Sequence, residues 1–208
     1  MMEEKVFRDP TKFCQVTSHN SAEYSPLLKD NMKNKKTKHE ERVVVKDLLF
    51  SIRHTPRAYA IAANQRGWED SPIFVCRQDP TKLSKLPPTH ELATVLNDLS
   101  TITALREDIH VFKDPRIEIV QGSKKYISRE SCLSHEGLEY TTERYDRIKL
   151  YAKMLDMQAY RANKNNLLWR EIVFELEGLG AQIIQHEVDH LYGTGIWDFS
   201  LNYVHASS

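Results

Sequence analysis

The stretch IIQHEVDHLYG, residues 183–193, decides how the chain is read. On a helix, residues four apart lie one turn above each other on the same face. His186 and His190 can therefore reach one metal ion together, with Glu187 beside them. This is the H-E-x-x-H arrangement, in which the glutamate works as a general base and not as a ligand. The plain alternative is two half-buried histidines on an amphipathic helix. A catalytic ion wants three protein ligands and an open position for water. Downstream, WDFSLNYVHASS offers only Asp198 and His205, near a terminus expected to be loose. The third ligand is therefore expected upstream.

Working outward, the chain has 208 residues with 29 Lys and Arg against 29 Asp and Glu, a net charge of zero. That balance argues against electrostatic capture of nucleic acid or acidic membranes. No apolar run is long enough to span a bilayer. The start, MMEEKVFRDP, has neither a signal-peptide core nor a transit-peptide composition. Three scattered cysteines, Cys14, Cys76 and Cys132, make no disulfide framework and point to a reducing compartment. The expectation from composition is a soluble, intracellular protein. Of the cysteines, Cys132 in ESCLS is the best ligand candidate, because it sits among polar residues and thiolates bind borderline-soft metals well. Cys76 lies in the apolar IFVCR and Cys14 in KFCQV; both read as packing residues.

Helical spacing of Val44, Val45, Leu48, Leu49 and Ile52 predicts an N-terminal helix stopping at Pro56. A strand is expected at 73–78, opening on IFVCR, and others at 110–120, 125–128, 147–155 and 167–176, where apolar and polar residues roughly alternate. The last helix is expected from near Glu177 to Gly193, a suitable glycine just past its end. Residues 20–40 read as a polar, lysine-rich loop, with a small basic docking patch as the sharper option. Residues 80–108 read as a surface insertion. The expected fold is α+β in a single domain, 1–208. Antiparallel sheets pack around a C-terminal metal-binding helix, with the N-terminal helix added.

Three segments, taken in order, resemble the motifs of peptide deformylases. QHEVDHLYG (185–193) is similar to their Q-H-E-x-D-H-L-x-G without a departure. ESCLS (130–134) resembles E-G-C-L-S, with Ser131 in place of glycine. AYAIAANQ (58–65) resembles G-x-G-φ-A-A-x-Q, with Ala58 and Ala60 replacing both glycines. RYDRIKLYA (144–152) also resembles the family's R-P-x-R-V-x-V-x-A strand. The resemblance implies removal of the N-formyl group from formyl-methionine at the start of nascent polypeptides.

Carried over residue by residue, it implies that Cys132, His186 and His190 hold one divalent ion. Ferrous iron is favoured, with zinc, nickel or cobalt as replacements. Glu187 would be the acid/base, while Gln65 and the backbone N–H of Leu133 would bind the developing oxyanion. Glu130 and Arg144 would form an ion pair orienting a ligand histidine. Tyr59, Ala60 and Ile183 are the candidates for lining a methionine pocket. The implied partners are N-formylmethionyl peptides and the ribosome exit region, with no specific nucleic acid and no membrane. His135 reads as a loop residue near the groove mouth and not as an extra ligand. Two other classes stay open: a deformylase-like protein that binds metal and peptide without turnover, and an H-E-x-x-H metallopeptidase. Positive φ at Ala58 or Ala60 would strain the first motif, and alanine methyl groups closing the groove would favour the former.

Overall fold

The computed structural model describes residues 38–55, 58–84, 86, 108–135, 137–198 and 200–205. The polar 20–37 stretch and most of the 80–108 segment lie outside these residues.

Helix α1 (Lys38–His54) is followed by β1 (Ala60–Ala62), a 3-10 turn (Ala63–Arg66), β2 (Ile73–Cys76) and a short α2 (Pro80–Leu83). Then come β3 (His110–Ile119), β4 (Lys125–Ser131), a 3-10 turn (Leu133–His135), β5 (Leu138–Tyr145) and β6 (Arg147–Leu155). The chain continues with α3 (Met157–Ala162), β7 (Trp169–Glu177), α4 (Gly178–Leu191), a 3-10 turn (Ile196–Asp198) and β8 (Asn202–His205). Two antiparallel sheets form, one ordered β1-β2-β3-β6-β7 and the other β4-β5-β8. No described helix is long and apolar enough to cross a membrane.

The larger sheet is covered on both faces, and its sequence shows why. In β2, Phe74 and Cys76 join the cluster under α4, whereas Ile73 and Val75 join the cluster under α1. Alternate side chains point to opposite faces, so a strand buried on both sides becomes apolar throughout. The apolar stripe of α1 fills one side: Val44, Val45, Leu48, Leu49 and Ile52 are all at or below 2% exposure. On the other side Phe112 stacks on Phe74 at 4.9 Å and meets Phe174 edge-on at 6.4 Å, with Leu179, Ile184 and Val188 of α4 in the same cluster. Helix α4 is thus wedged between the two sheets.

Two expectations need correction. The C-terminal stretch is not loose where it is described. Residues 202–205 pair with β5 in register, Tyr203 opposite Tyr140, because the backbone satisfies its hydrogen bonds on an open sheet edge. The 80–108 segment is also not wholly superficial. Asp79 caps α2 through the Thr81 N–H, Pro80 supplies its first turn, and Leu83 is 2% exposed beneath α4. Gly180 allows this approach: a Cβ there would sit 2.3 Å from the Pro80 carbonyl oxygen. Gly180→Ala is expected to lower stability by about 2 kcal/mol through overpacking against backbone that cannot yield. The melting temperature should fall by about 4–8 °C; an unchanged melting curve would contradict the close packing.

Candidate metal centre

The ligand candidates come together from distant parts of the chain. Helix α4 supplies His186 and His190, whose Nε2 atoms are 3.1 Å apart. Cys132 follows the last residue of β4, and its Sγ lies 3.2 Å from His190 Nε2. The three donor atoms all lie within 4.8 Å of one another, the only such His/Cys/Asp/Glu group among the described residues. The downstream alternatives are elsewhere. Asp198 accepts from the Gly195 N–H at 2.8 Å, and His205 sits on exposed β8. Cys76 is sealed in the core, where burial pushes its thiol up to about 12, leaving an inert packing residue.

The smaller sheet holds the imidazole of His186 in place. Along β4 alternate residues face inward, so Ser128 and Glu130 are buried, as are Thr142 and Arg144 on the paired β5. Glu130 accepts from Arg144 Nε at 2.7 Å and Nη2 at 2.8 Å, from Thr142 Oγ1 at 3.0 Å, and from His186 Nδ1 at 2.8 Å. Burial alone would raise this carboxyl. The Arg144 guanidinium and His186 outweigh it and hold Glu130 well below the usual carboxylate range. A proton fixed on His186 Nδ1 leaves the Nε2 lone pair facing the site, as a metal ligand requires. Arg144 also reaches Asp189 of α4, and Gln185 bonds both Tyr145 N and Tyr145 O. The helix is thereby pinned to β5. Glu130→Gln is expected to weaken metal binding by about 10–100-fold, read by competition with a chelator. Unchanged affinity would contradict the orienting role.

The first motif supplies the amide. Ala62 N–H donates to Gln65 Oε1 at 2.9 Å, so the Nε2 end points inward, 3.2 Å from Ser134 Oγ and 3.6 Å from Cys132 Sγ. Asn64 Nδ2 donates to the His190 carbonyl, tying this turn to α4. Cys132 Sγ accepts from Ser134 N at 3.4 Å. Burial would raise the thiol, but His186 and Ser134 bring it below its ordinary value. Leu133 is the first residue of the same turn, half-buried against the α1 cluster.

Glu187 is 4% exposed, and its Oε2 has no hydrogen-bond partner among the described residues. Burial pushes its carboxyl up to about 7. A buried, orphaned carboxylate oxygen beside a cysteine and two histidines fits a site that takes up a cation and water. Burial likewise pushes His190 down to about 4, keeping it neutral and able to ligate.

Among the described residues Asp114 alone has positive φ outside glycine, so Ala58 and Ala60 sit unstrained. Both are buried, at 4% and 8%. Tyr59, Ala60 and Ile183 fall in one apolar cluster with Val188 of the ligand helix. His135 stacks on Trp197 at 4.0 Å, and its Nδ1 lies 2.6 Å from Tyr140 Oη, outside the donor group. Asn64, Ser134 and Asp189 went unassigned in the sequence although they lie inside the quoted motifs. Their roles depend on which neighbour each side chain meets.

Known proteins are similar to this chain along most of its length. The sequence model of the polypeptide deformylase family matches residues 20–201. Peptide deformylase 3 of Shewanella oneidensis is 28% identical, over 72% of this chain and 68% of its own length. The peptide deformylase of Aquifex aeolicus is 30% identical, over 74% of this chain and 69% of its own. A crystal structure of a peptide deformylase from Legionella pneumophila has the same fold, with a TM-score of 0.52 at 21% identity. It covers 89% of this chain and 85% of that one. The extent of these matches, together with the placement of the three motifs around one donor group, identifies the chain as a member of the polypeptide deformylase family.

Proposed function

We propose that residues 1–208 act as one catalytic domain that hydrolyses the formyl amide at the N-terminal formyl-methionine of nascent polypeptides. Cys132, His186 and His190 hold one divalent ion. The observation that carries this reading is the donor group of one sulfur and two imidazoles within 4.8 Å, with Glu187 buried beside it and the Gln65 amide aimed at the same sulfur. Ferrous iron is the favoured ion, with zinc, nickel or cobalt able to take its place. When bound, such an ion supplies Lewis acidity, lowering the pKa of a water to about 7 and polarising the formyl carbonyl.

The remaining steps belong to the protein. An extended substrate lies along the free edge of β1, which pairs only with β2 among the described strands. Its methionine side chain enters the apolar surface of Tyr59, Ala60 and Ile183. As negative charge develops on the formyl oxygen, Gln65 Nε2 and the Leu133 N–H donate to it, each donor typically worth about 3 kcal/mol. Glu187 takes the proton from water and passes it to the departing amine, so that formate and a free N-terminus are released. Glu130 and Arg144 keep His186 in register throughout. The encounter with nascent chains would take place at the ribosome exit region, in a bacterial, virus-infected or organellar cytoplasm.

The direct test is formate release from formyl-Met-Ala-Ser by protein loaded with ferrous iron, cobalt or nickel, against the acetylated peptide as control. No turnover with any of the three ions would overturn the proposal. A cysteine sulfur in the donor set favours it over the peptidase reading, and unstrained alanines in the first motif favour it over the binding-only one.

A further inference from the structure

Arg66 is the largest fully buried side chain described, at 1% exposure. Its Nη2 lies 3.3 Å from Oδ1 of Asp47 on α1, which is equally buried. The other oxygen of the same carboxylate, Oδ2, accepts from Trp68 Nε1 at 2.8 Å. Between the two partners Gly67 turns at φ +75°, and the Gly67 and Trp68 N–H groups bond back to Asn64 and Ala63 carbonyls at 2.8 and 3.0 Å. One carboxylate thus grips the turn on both sides of its reversal, immediately after Gln65. From the opposite direction Asn64 holds the same turn to the His190 carbonyl.

A buried charge pair of this kind adds little stability over apolar packing, because desolvation offsets the attraction. It does fix geometry, since both oxygens have directed partners. We propose that Asp47 is a positioning residue for the reaction: by gripping Arg66 and Trp68 it sets where the Gln65 carboxamide points over the metal donors. The inference rests on the deformylase reading for its kinetic arm only. Gln65 Nε2 lies 3.6 Å from Cys132 Sγ and 3.2 Å from Ser134 Oγ, so its direction decides what it meets. A shift of about 1 Å in such a donor is enough to cost up to about 100-fold in rate.

The test compares Asp47→Asn and Trp68→Phe in metal-loaded protein, alone and combined with Gln65→Ala. Trp68→Phe keeps an aromatic side chain while removing the indole N–H and some ring bulk, so it reports even where Asp47→Asn fails to fold. Each single variant is expected to lower kcat by about tenfold, with KM and metal content within about twofold of the parent. In the Gln65→Ala background the same change should cost less than about twofold, because its route of action is already gone. Equal losses in both backgrounds, or an unchanged kcat, would overturn the proposal. The second arm is the Gln65 side-chain NH2 resonance, assigned by its absence in Gln65→Ala. Trp68→Phe should broaden it or speed its hydrogen exchange by about tenfold; an unmoved, sharp pair would refute the clamp. This arm needs no turnover, so an inactive parent would sink the deformylase reading while leaving the clamp decidable.

Discussion

Glu187→Ala is expected to retain a full complement of metal while kcat for formyl-Met-Ala-Ser falls by about 10²–10⁴-fold, the usual contribution of a positioned acid/base. Metal retention follows from the donor set, which is complete without the carboxylate. Loss of turnover follows because the neighbouring imidazoles are unsuited to the task. His186 is tied to Glu130 through Nδ1, and His190 is held neutral by burial. Near-normal activity in a metal-replete variant would remove Glu187 from the mechanism.

The same residue gives a pH signature in protein stripped by a chelator. The Glu187 carboxyl goes from 4.5 in the unfolded chain to about 7 when folded. The folded state therefore binds the proton more tightly, and its contribution to stability is full below pH 4.5 and lost as pH rises through 7. Glu187→Gln should flatten that part of a urea-denaturation profile; an unchanged slope would show that other groups set it.

Cys132→Ala is expected to drop metal content from about one ion per chain to less than about a tenth, and turnover with it. Two imidazoles alone leave a borderline-soft ion with two of the three protein ligands a catalytic site uses. The loss should be of metal and not of fold, because the thiol is small and belongs to the minor cluster of Tyr140 and Ile196. Metal analysis beside a circular dichroism spectrum separates the two. Full stoichiometry in a folded Cys132→Ala protein would reopen the search for the third ligand. Asp198 and His205 would remain unattractive, since one caps a turn and the other lies on an exposed edge.

Much of this was legible from residue order. The spacing of His186 and His190 places both on one helix face whatever the rest of the fold does. The stripe from Val44 to Ile52 announces a half-buried helix, and PIFVCR announces a strand. These are local periodicities, and local geometry alone dictates them. Residues 138–145 escaped notice as a strand because the inward positions of β5 include Thr142 and Arg144, both buried and polar. Alternation of hydrophobicity cannot report a face whose partners are a glutamate and a histidine. The terminal strand β8 escaped for a related reason: all four of its residues are exposed, so only pairing with β5 makes them a strand.

By itself, then, the sequence determined the two histidines, the glutamate between them, and the resemblance of three motifs. Tertiary structure alone decided that Cys132 is brought from 58 positions away to 3.2 Å from His190 Nε2, that Glu130 meets His186, and that Asp47 reaches Arg66 and Trp68. Spacing along a chain constrains neighbours within a turn or a strand. Contacts across α4, the two sheets and α1 depend on how those elements pack, and packing is settled by burial of both faces of the larger sheet at once.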